Sequence, residues 1–392
     1  MISEKTRRFI EQHINDDPAL LCLKTKEIAG VDLPLAAEQI AIRQQLRKKL
    51  PAWAANFDLV FPSRLSSEQC SSEQTARYKQ RFVSGGTLMD MTGGLGVDFF
   101  YLSQKAESAV YIDREEENCK IAVHNFAQLG IGNVQVIRND SMAVLLQWPH
   151  PVDFVYIDPS RRGSHNRRTY ALHDCEPDVV KYKALLRQKS QQVLIKVSPM
   201  VDVRNLLTLF PETKEAHIVS VGNECKEVLL LLDNNREKRE TLIYCVNLSP
   251  TEQKLFAFSF SEEEQATICY TSVGVYLYEP NASILKGGAF KSVALRYGVG
   301  KLNANSHLYT SDKLISQFPG RIFEVENLFS FDKKGKKELS SRFPQANIAV
   351  RNFPLSVAEI RKQTGIKEGG NIYLFATTLK EGEKVVVQSF KC

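Results

Sequence analysis

The chain has 392 residues, 43% hydrophobic and 24% charged, with a formal net charge of +6. That is ordinary globular composition with capacity for two or three domains, and it excludes extended disorder. No apolar run reaches the ~18 residues of a membrane span, and the charged start MISEKTRRFIEQHINDD lacks a secretory leader's apolar core.

Eight cysteines stand singly at 22, 70, 119, 175, 225, 245, 269 and 392, with no CxxC or Cys/His spacing. No metal site or disulfide framework is expected, and the thiols read as reduced and cytoplasmic.

Residues 1–84 read as helical. Asp16-Asp17-Pro18 can start a helix. Leu35, Ile42, Leu46 and Leu50 form one stripe of a helix that begins at Pro34 and is stopped by Pro51, with Arg43, Gln44, Arg47 and Lys48 elsewhere. Ser71 followed by Gln74 reads as a capping box for a helix to about Phe82. From 87 to 232 strands and helices alternate. Strands are predicted at 86–91, 109–112, 134–138, 153–158, 193–197, 216–221 and 227–232, and helices near 97–105, 115–129, 140–147, 175–189 and 202–210. This is an α/β pattern with a parallel sheet and right-handed crossovers. Only Gly222 to Lys226 separate the last two strands, a spacing that permits a hairpin and an antiparallel final strand.

The polar run 234–240 marks a boundary. Strands follow at Leu242 to Leu248 and Phe256 to Phe260, then a basic turn or helix start at Lys333 to Lys337 and a late strand at Tyr373 to Thr378. Residues 241–392 carry 19 Lys+Arg against 14 Asp+Glu. That excess fits a polyanionic partner or a solvated basic surface.

The stretch Thr87 to Gly96, TLMDMTGGLG, reads as strand, tight turn and helix start. A dinucleotide fingerprint begun at Gly94 meets Phe99 where a third small residue is needed, so NAD fits poorly. The pattern D-x-x-G-G-x-G, starting at Asp90, resembles motif I of class I methyltransferases. The resemblance implies that Asp90 holds the methionyl ammonium of S-adenosylmethionine and that Thr92, Gly93, Gly94 and Gly96 lie against the cofactor. Asp113 ends the second strand, where a carboxylate can accept both ribose hydroxyls, or can cap the helix that follows. Asn139-Asp140 resembles the family's adenine-edge pair. Tyr78 either packs on the cofactor or belongs to the core.

Asp158-Pro159-Ser160-Arg161 ends the fourth strand and resembles motif IV of the amino-group methyltransferases. There a carboxylate and a proline-fixed carbonyl accept N–H bonds and aim a nitrogen lone pair at the methyl. Ser160 replaces a second proline and Arg161 replaces an aromatic. A guanidinium can stack on a base or grip phosphate, and Tyr170 can supply a ring. Arg161, Arg162, Arg167 and Arg168 fall within eight residues, suited to phosphate contacts or to a solvated loop with one structural arginine. Lys196, at the end of the fifth strand, is expected to face the site and its substrate. Glu224 and Glu227 either pair with the loop arginines or act directly. His165 and His173 rank as incidental.

Together EQCSSEQTARYK, DMTGGLGVDFFYLS, YIDPSRR, VLIKVSPMVD, VGNECKEVLLLL, LYEPNASILKGGAFKSVA and VRNFPLSVAEIRK resemble a bacterial family of class I S-adenosylmethionine-dependent methyltransferases with a THUMP-like C-terminal domain. The resemblance implies a Rossmann-like seven-stranded methyltransferase sheet in 85–235, preceded by a helical N-terminal region, 1–84. A small ferredoxin-like α+β domain at 241–285 and a THUMP-like α/β domain at 286–392 would follow. It further implies methyl transfer to an exocyclic amine or ring nitrogen of a tRNA or rRNA nucleotide. RNA is then the partner, with Arg321, Lys333, Lys334, Lys336, Lys337, Arg342 and Arg351 as phosphate contacts. A methyltransferase for a small molecule or protein, and a non-catalytic RNA-binding protein of this fold, are the competing readings.

Overall fold

The apolar stripe near the N-terminus buries against the start of the α/β region. Ile42, Leu46 and Leu50 pack with Trp53, Leu59 and Phe61, and with Leu95, Val97 and Tyr101 beyond the first strand. The computed structural model describes residues 2–24, 28–161, 172–234 and 239–392. The stripe lies on the helix Leu33–Leu46, capped by Asp32, which accepts from Leu35 N. That helix ends at Leu46, short of Leu50, and Pro51 instead opens the short helix Pro51–Ala55, a position where its missing N–H costs nothing. Arg43 is fully buried rather than solvated. Its guanidinium donates to the carbonyls of Ala54, Asn56 and Leu59 at 3.1, 2.8 and 2.6 Å.

Ser72, not Ser71, caps the helix Glu73–Lys79, its Oγ accepting from Thr75 N at 3.2 Å. Ser71 is instead drawn to a buried carboxylate, donating to Asp98 Oδ2 at 2.7 Å. Ser72→Ala should lower stability by about 1 kcal/mol, read as a shift in the urea midpoint at unchanged slope.

The chain divides into two compact units, Met1–Glu215 with Glu227–Arg239, and Ala216–Lys226 with Glu240–Cys392. In the first, β1 (Thr87–Asp90), β2 (Ser108–Asp113), β3 (Val134–Arg138) and β4 (Val152–Ile157) are parallel, in the order β3-β2-β1-β4. Strand Ser190–Val197 continues the sheet parallel to β4, and Glu224–Asp233 pairs antiparallel with it. A seventh strand, Thr213–Val221, adds its first residues, where Lys214 stands 3.7 Å from Asp233. The middle strands are buried on both faces, as continuous apolar runs such as Val155 to Ile157 require. The turn Gly222-Asn223 has φ of 57° and 68°, the two-residue geometry that matches strand twist.

Helices Val97–Ser103, Glu116–Gln128, Ser141–Gln147 and Val203–Leu209 fall where expected. The helix predicted at 175–189 is shorter, Lys183–Lys189. Cys175–Glu176 pairs instead with Ser160–Arg161, and Pro177, with no N–H, cannot be drawn into a helix interior there.

In the second unit Leu242–Leu248 and Gln253–Phe258 form an antiparallel pair. A further sheet runs in the order 300–301, 309–311, 276–280, 320–330, 384–391, 372–378, 347–351. Residues Lys333–Arg342 form a full helix capped by Asp332. No helix among the described residues is long and apolar enough to cross a membrane.

Candidate cofactor and methyl-transfer site

Parallel strands bring their carboxyl ends to one edge of the sheet, where ligands of this architecture bind. A cavity of about 370 Å³ lies along that edge. It is lined by Asp90, Thr92, Gly93, Gly94 and Gly96 after β1, Asp113 after β2, Asn139 after β3, and Asp158 and Ser160 after β4. The helical region adds Ser66, Gln69, Cys70 and Ser71, a contribution that sequence reasoning missed.

The turn is held from beneath. Gly93 N donates to Ile112 O at 3.0 Å, Gly94 N to Asp113 Oδ2 at 2.9 Å, and Tyr111 OH to Gly94 O at 2.5 Å. A Cβ on Gly93 would stand 2.3 Å from the Tyr111 ring, so only glycine lets the turn lie this close to β2. Gly93→Ala should cost about 1–3 kcal/mol, and a thermal melt with and without Tyr111→Leu would show whether ring displacement is the cause.

Asp90 is buried at the end of β1, and its Oδ1 accepts from Thr92 N at 2.9 Å. Burial, with the Asp98 and Asp158 carboxylates nearby, pushes its pKa up to about 8. Thr92 joins the two motifs: its Oγ1 lies 3.4 Å from Asp90 Oδ1 and accepts from Asp158 N at 2.8 Å. Asp158 Oδ2 in turn accepts from Lys196 Nζ at 2.5 Å. Burial alone would lower the Lys196 pKa, but Asp158, Asp98 and Glu227 raise it well above the ordinary lysine value. Lys196 is thus a fixed cation on Asp158, not a free substrate contact.

Asp113 lines the cavity but does not cap the helix Glu116–Gln128, whose N-cap is Glu115. Oδ1 accepts from Glu115 N at 2.8 Å; Oδ2 accepts from Gly94 N and, at 3.1 Å, from Asn118 Nδ2. Three of its roughly four acceptor positions are taken, so a diol would find one free position and must share the rest. Asp140 does not line the cavity. Its Oδ1 caps the next helix through Ala143 N at 2.8 Å, and its Oδ2 pairs with Arg114, which also holds Glu176. Asn139 alone of that pair reaches the lining. Tyr78 is also away from it, buried edge-on to Phe82 at 6.1 Å between ring centroids. Ser160 Oγ donates to Glu176 O at 3.4 Å, and Pro159 fixes the backbone between it and Asp158. The side chain of Arg161, and all of Arg162, His165, Arg167, Arg168 and Tyr170, lie outside the described residues.

Residues 74–188 match a family described as conserved hypothetical protein 95, 276–319 a ferredoxin-like domain, and 320–389 a THUMP domain-like family. The crystal structure of a candidate methyltransferase from Porphyromonas gingivalis W83 is similar at 36% identity over 100% of both chains, with a TM-score of 0.90. The chain belongs to the S-adenosylmethionine-dependent methyltransferases with a THUMP-like C-terminal domain. An uncharacterized S-adenosylmethionine-dependent methyltransferase of Mycobacterium tuberculosis H37Rv is 23% identical over 334 residues, 83% of this chain and 86% of its own. A Vibrio vulnificus 23S rRNA (uracil(747)-C(5))-methyltransferase is 27% identical over 133 residues, 34% of this chain and 35% of its own.

The methyltransferase uses S-adenosylmethionine, and the donor set suits it: carboxylates end β1 and β2 beside a turn whose backbone comes close. Beneath the cavity lies an ionic network that the sequence did not disclose. Lys79 is fully buried, donating to both Glu227 oxygens at 2.6 and 2.7 Å and standing 3.3 Å from Asp98 Oδ1. Tyr156 OH donates to Asp98 Oδ2 at 2.6 Å. Burial would push Asp98 up, but Lys79, Lys196 and the two hydroxyls hold it below the ordinary aspartate value. Glu227, expected to pair with a loop arginine or act directly, belongs to this network through Lys79. Glu224 pairs with Lys226 at 2.6 Å.

In the second unit Arg321 and Arg351 both bind the buried Glu279, which fixes both side chains and matches one of their two charges. Arg342 lies over the Phe329 and Phe343 rings, and Lys336 over Phe331. Lys333, Lys334 and Lys337 are exposed on the first turns of their helix, with no ion pair among the described residues.

Proposed function

We propose that this methyltransferase modifies an amine or ring nitrogen of an RNA nucleotide. S-adenosylmethionine supplies a methyl carbon made electrophilic by a cationic sulfur. The observation that carries the reading is the placement of Asp158-Pro159: Thr92 ties its backbone to the cofactor turn, and the carboxylate lines the same cavity. Lys196 holds one Asp158 oxygen. The remaining lone pairs accept N–H bonds and orient the nucleophile without removing its proton beforehand. Asp90 and Asn139 face the cofactor's methionyl and adenine ends, and Asp113 shares its last acceptor position with the ribose.

Carbon methylation of a pyrimidine, the activity in the Vibrio relative's name, calls for an activated nucleophile. The cavity cysteine, Cys70, has its thiol pushed up by burial, which disfavours the thiolate. That supports nitrogen as the target.

RNA as substrate rests on the THUMP-like match over 320–389, the rRNA-directed relative, and the exposed lysines at 333, 334 and 337. Lys333 and Lys334 stand in the first turn, where a lysine opposes the helix dipole, and a solvent-facing cation there suits an external polyanion. Arg161, Arg162, Arg167, Arg168 and Tyr170 are proposed to grip the substrate strand at the cavity mouth. The test is transfer of labelled methyl to total RNA and total protein from cells lacking the gene. Label in RNA, falling steeply with added salt, is expected; label confined to protein would favour a protein methyltransferase.

A further inference from the structure

We propose that Asp98 makes the site prefer the cofactor's sulfonium over the neutral thioether of its product, by placing a buried carboxylate with one oxygen free of hydrogen bonds on the cavity wall. The inference rests on the cofactor reading above and assigns a residue to which no role has so far been given.

Asp98 lines the cavity and is 9% exposed. Its Oδ2 is held by the hydroxyls of Ser71 and Tyr156 at 2.7 and 2.6 Å. Its Oδ1 is buried and accepts no hydrogen bond. The nearest cation, Lys79 Nζ, stands 3.3 Å away and is already committed to both oxygens of Glu227. Tyr156 fixes where this carboxylate sits. It stands on β4 opposite Asp90 in register and two residues before Asp158; Asp90 and Lys196, the lysine that holds Asp158, both feel the Asp98 charge, which puts Asp98 close to both motif carboxylates.

Among the described residues the carboxylates of this cluster face Lys79 and Lys196, and those cations, with the two hydroxyls, keep Asp98 in its charged form. A carboxylate that stays ionised in a weakly polar interior attracts a ligand cation more strongly than it would in water. Substrate and product differ in that one charge. In transfer the sulfur–methyl bond breaks with its electron pair left on sulfur, the acceptor nitrogen lone pair forms the new bond, and the nitrogen then sheds a proton. The thioether that remains is neutral at sulfur. Asp98 therefore favours loading before transfer and release after it. Asp90, aimed at the methionyl ammonium, cannot make this distinction, because substrate and product both carry that group.

The test is calorimetric titration of the full chain with three ligands. These are S-adenosylmethionine, S-adenosylhomocysteine, and sinefungin, which carries an ammonium in place of the sulfonium. The wild type should bind both cationic ligands at least ~10-fold more tightly than the thioether, the factor expected for a buried charge at this range. Asp98→Asn should bring the ratio within ~3-fold by weakening the cations alone. Asp90→Asn should weaken all three in proportion, leaving the ratio as it was. Equal binding of the three by wild type, a comparison that does not need the variant to fold, would overturn the inference while leaving the cofactor site intact. A ratio unchanged in folded Asp98→Asn would do the same. Binding of none would remove the cofactor reading and this inference with it.

Discussion

Replacing Asp158 by alanine should slow methyl transfer ~100- to 1,000-fold while leaving S-adenosylmethionine affinity within ~3-fold. The asymmetry follows from position. Asp158 lines the cavity beyond the cofactor turn and contacts that turn only through its backbone N–H, which donates to Thr92 and survives the substitution. The lost group is the acceptor that orients the target nitrogen. Asp158→Asn keeps one carbonyl-type acceptor and should retain more activity, losing ~10-fold, since a neutral acceptor is weaker than a carboxylate. Lys196 sharpens the comparison. Without Asp158 its ammonium still has Asp98 and Glu227 nearby, so the variant should fold. Single-turnover rates with calorimetric affinities separate the two effects. A loss of affinity equal to the loss of rate would place Asp158 in the cofactor site instead.

The second large effect concerns Asp90. Its pKa of about 8 lies far above the ~3.9 of an unfolded aspartate. The protonated form is therefore the one that folding favours. Asp90's contribution to stability is fully present below the unfolded value and is lost as pH rises through about 8. Cofactor binding has the opposite preference, because the methionyl ammonium favours the carboxylate. Affinity should climb toward pH 8, by up to ~100-fold from pH 6, with uptake of the ligand accompanied by proton release. Above pH 8 the cofactor's own α-amino group, with a pKa of ~7.7–8.0, begins to lose its proton and affinity levels or falls. Asp90→Asn should remove the rising limb, weaken binding at pH 8, and raise the melting temperature of the free protein by ~3 °C or more. Calorimetry in buffers of different ionisation enthalpy reads the released proton directly. No proton release near neutrality would mean that Asp90 is not the ammonium's partner.

The catalytic sheet was legible because its signals are local and mutually consistent. Strands buried on both faces read as unbroken apolar runs, and Asp90, Asp113 and Asp158 each end one, which is where an α/β sheet exposes side chains to a ligand. The glycine turn was legible for the same reason. Other features depended on distant partners. Ser71 and Ser72 are equivalent as caps in sequence, and only the buried Asp98 decides between them. Asp140 looked like a ligand residue, but Arg114 claims it. Arg43 sits among polar residues and looks solvated, yet the carbonyls of Ala54, Asn56 and Leu59 draw it inward.

The Lys79–Glu227–Asp98 network left a trace that could have been followed. Asp98 interrupts the apolar run Val97 to Leu102, Glu227 precedes the run Val228 to Leu232, and Lys79 shares a helix face with the buried Thr75 and Ala76. Three ionisable groups on apolar faces must either be exposed or find one another. Likewise, nothing in the composition of 241–392 separates Arg321 and Arg351, both held by the buried Glu279, from the exposed lysines at 333, 334 and 337.

The most direct test identifies the methylated nucleoside. Purified protein, S-adenosylmethionine labelled in its methyl group and RNA from cells lacking the gene would be incubated, the RNA digested to nucleosides, and the labelled product resolved by mass spectrometry. The expected result is one labelled nucleoside with the methyl on nitrogen, absent when Asp158→Ala replaces the wild type. A labelled pyrimidine with the methyl on carbon, or label that Asp158→Ala still delivers, would contradict the role assigned to the site.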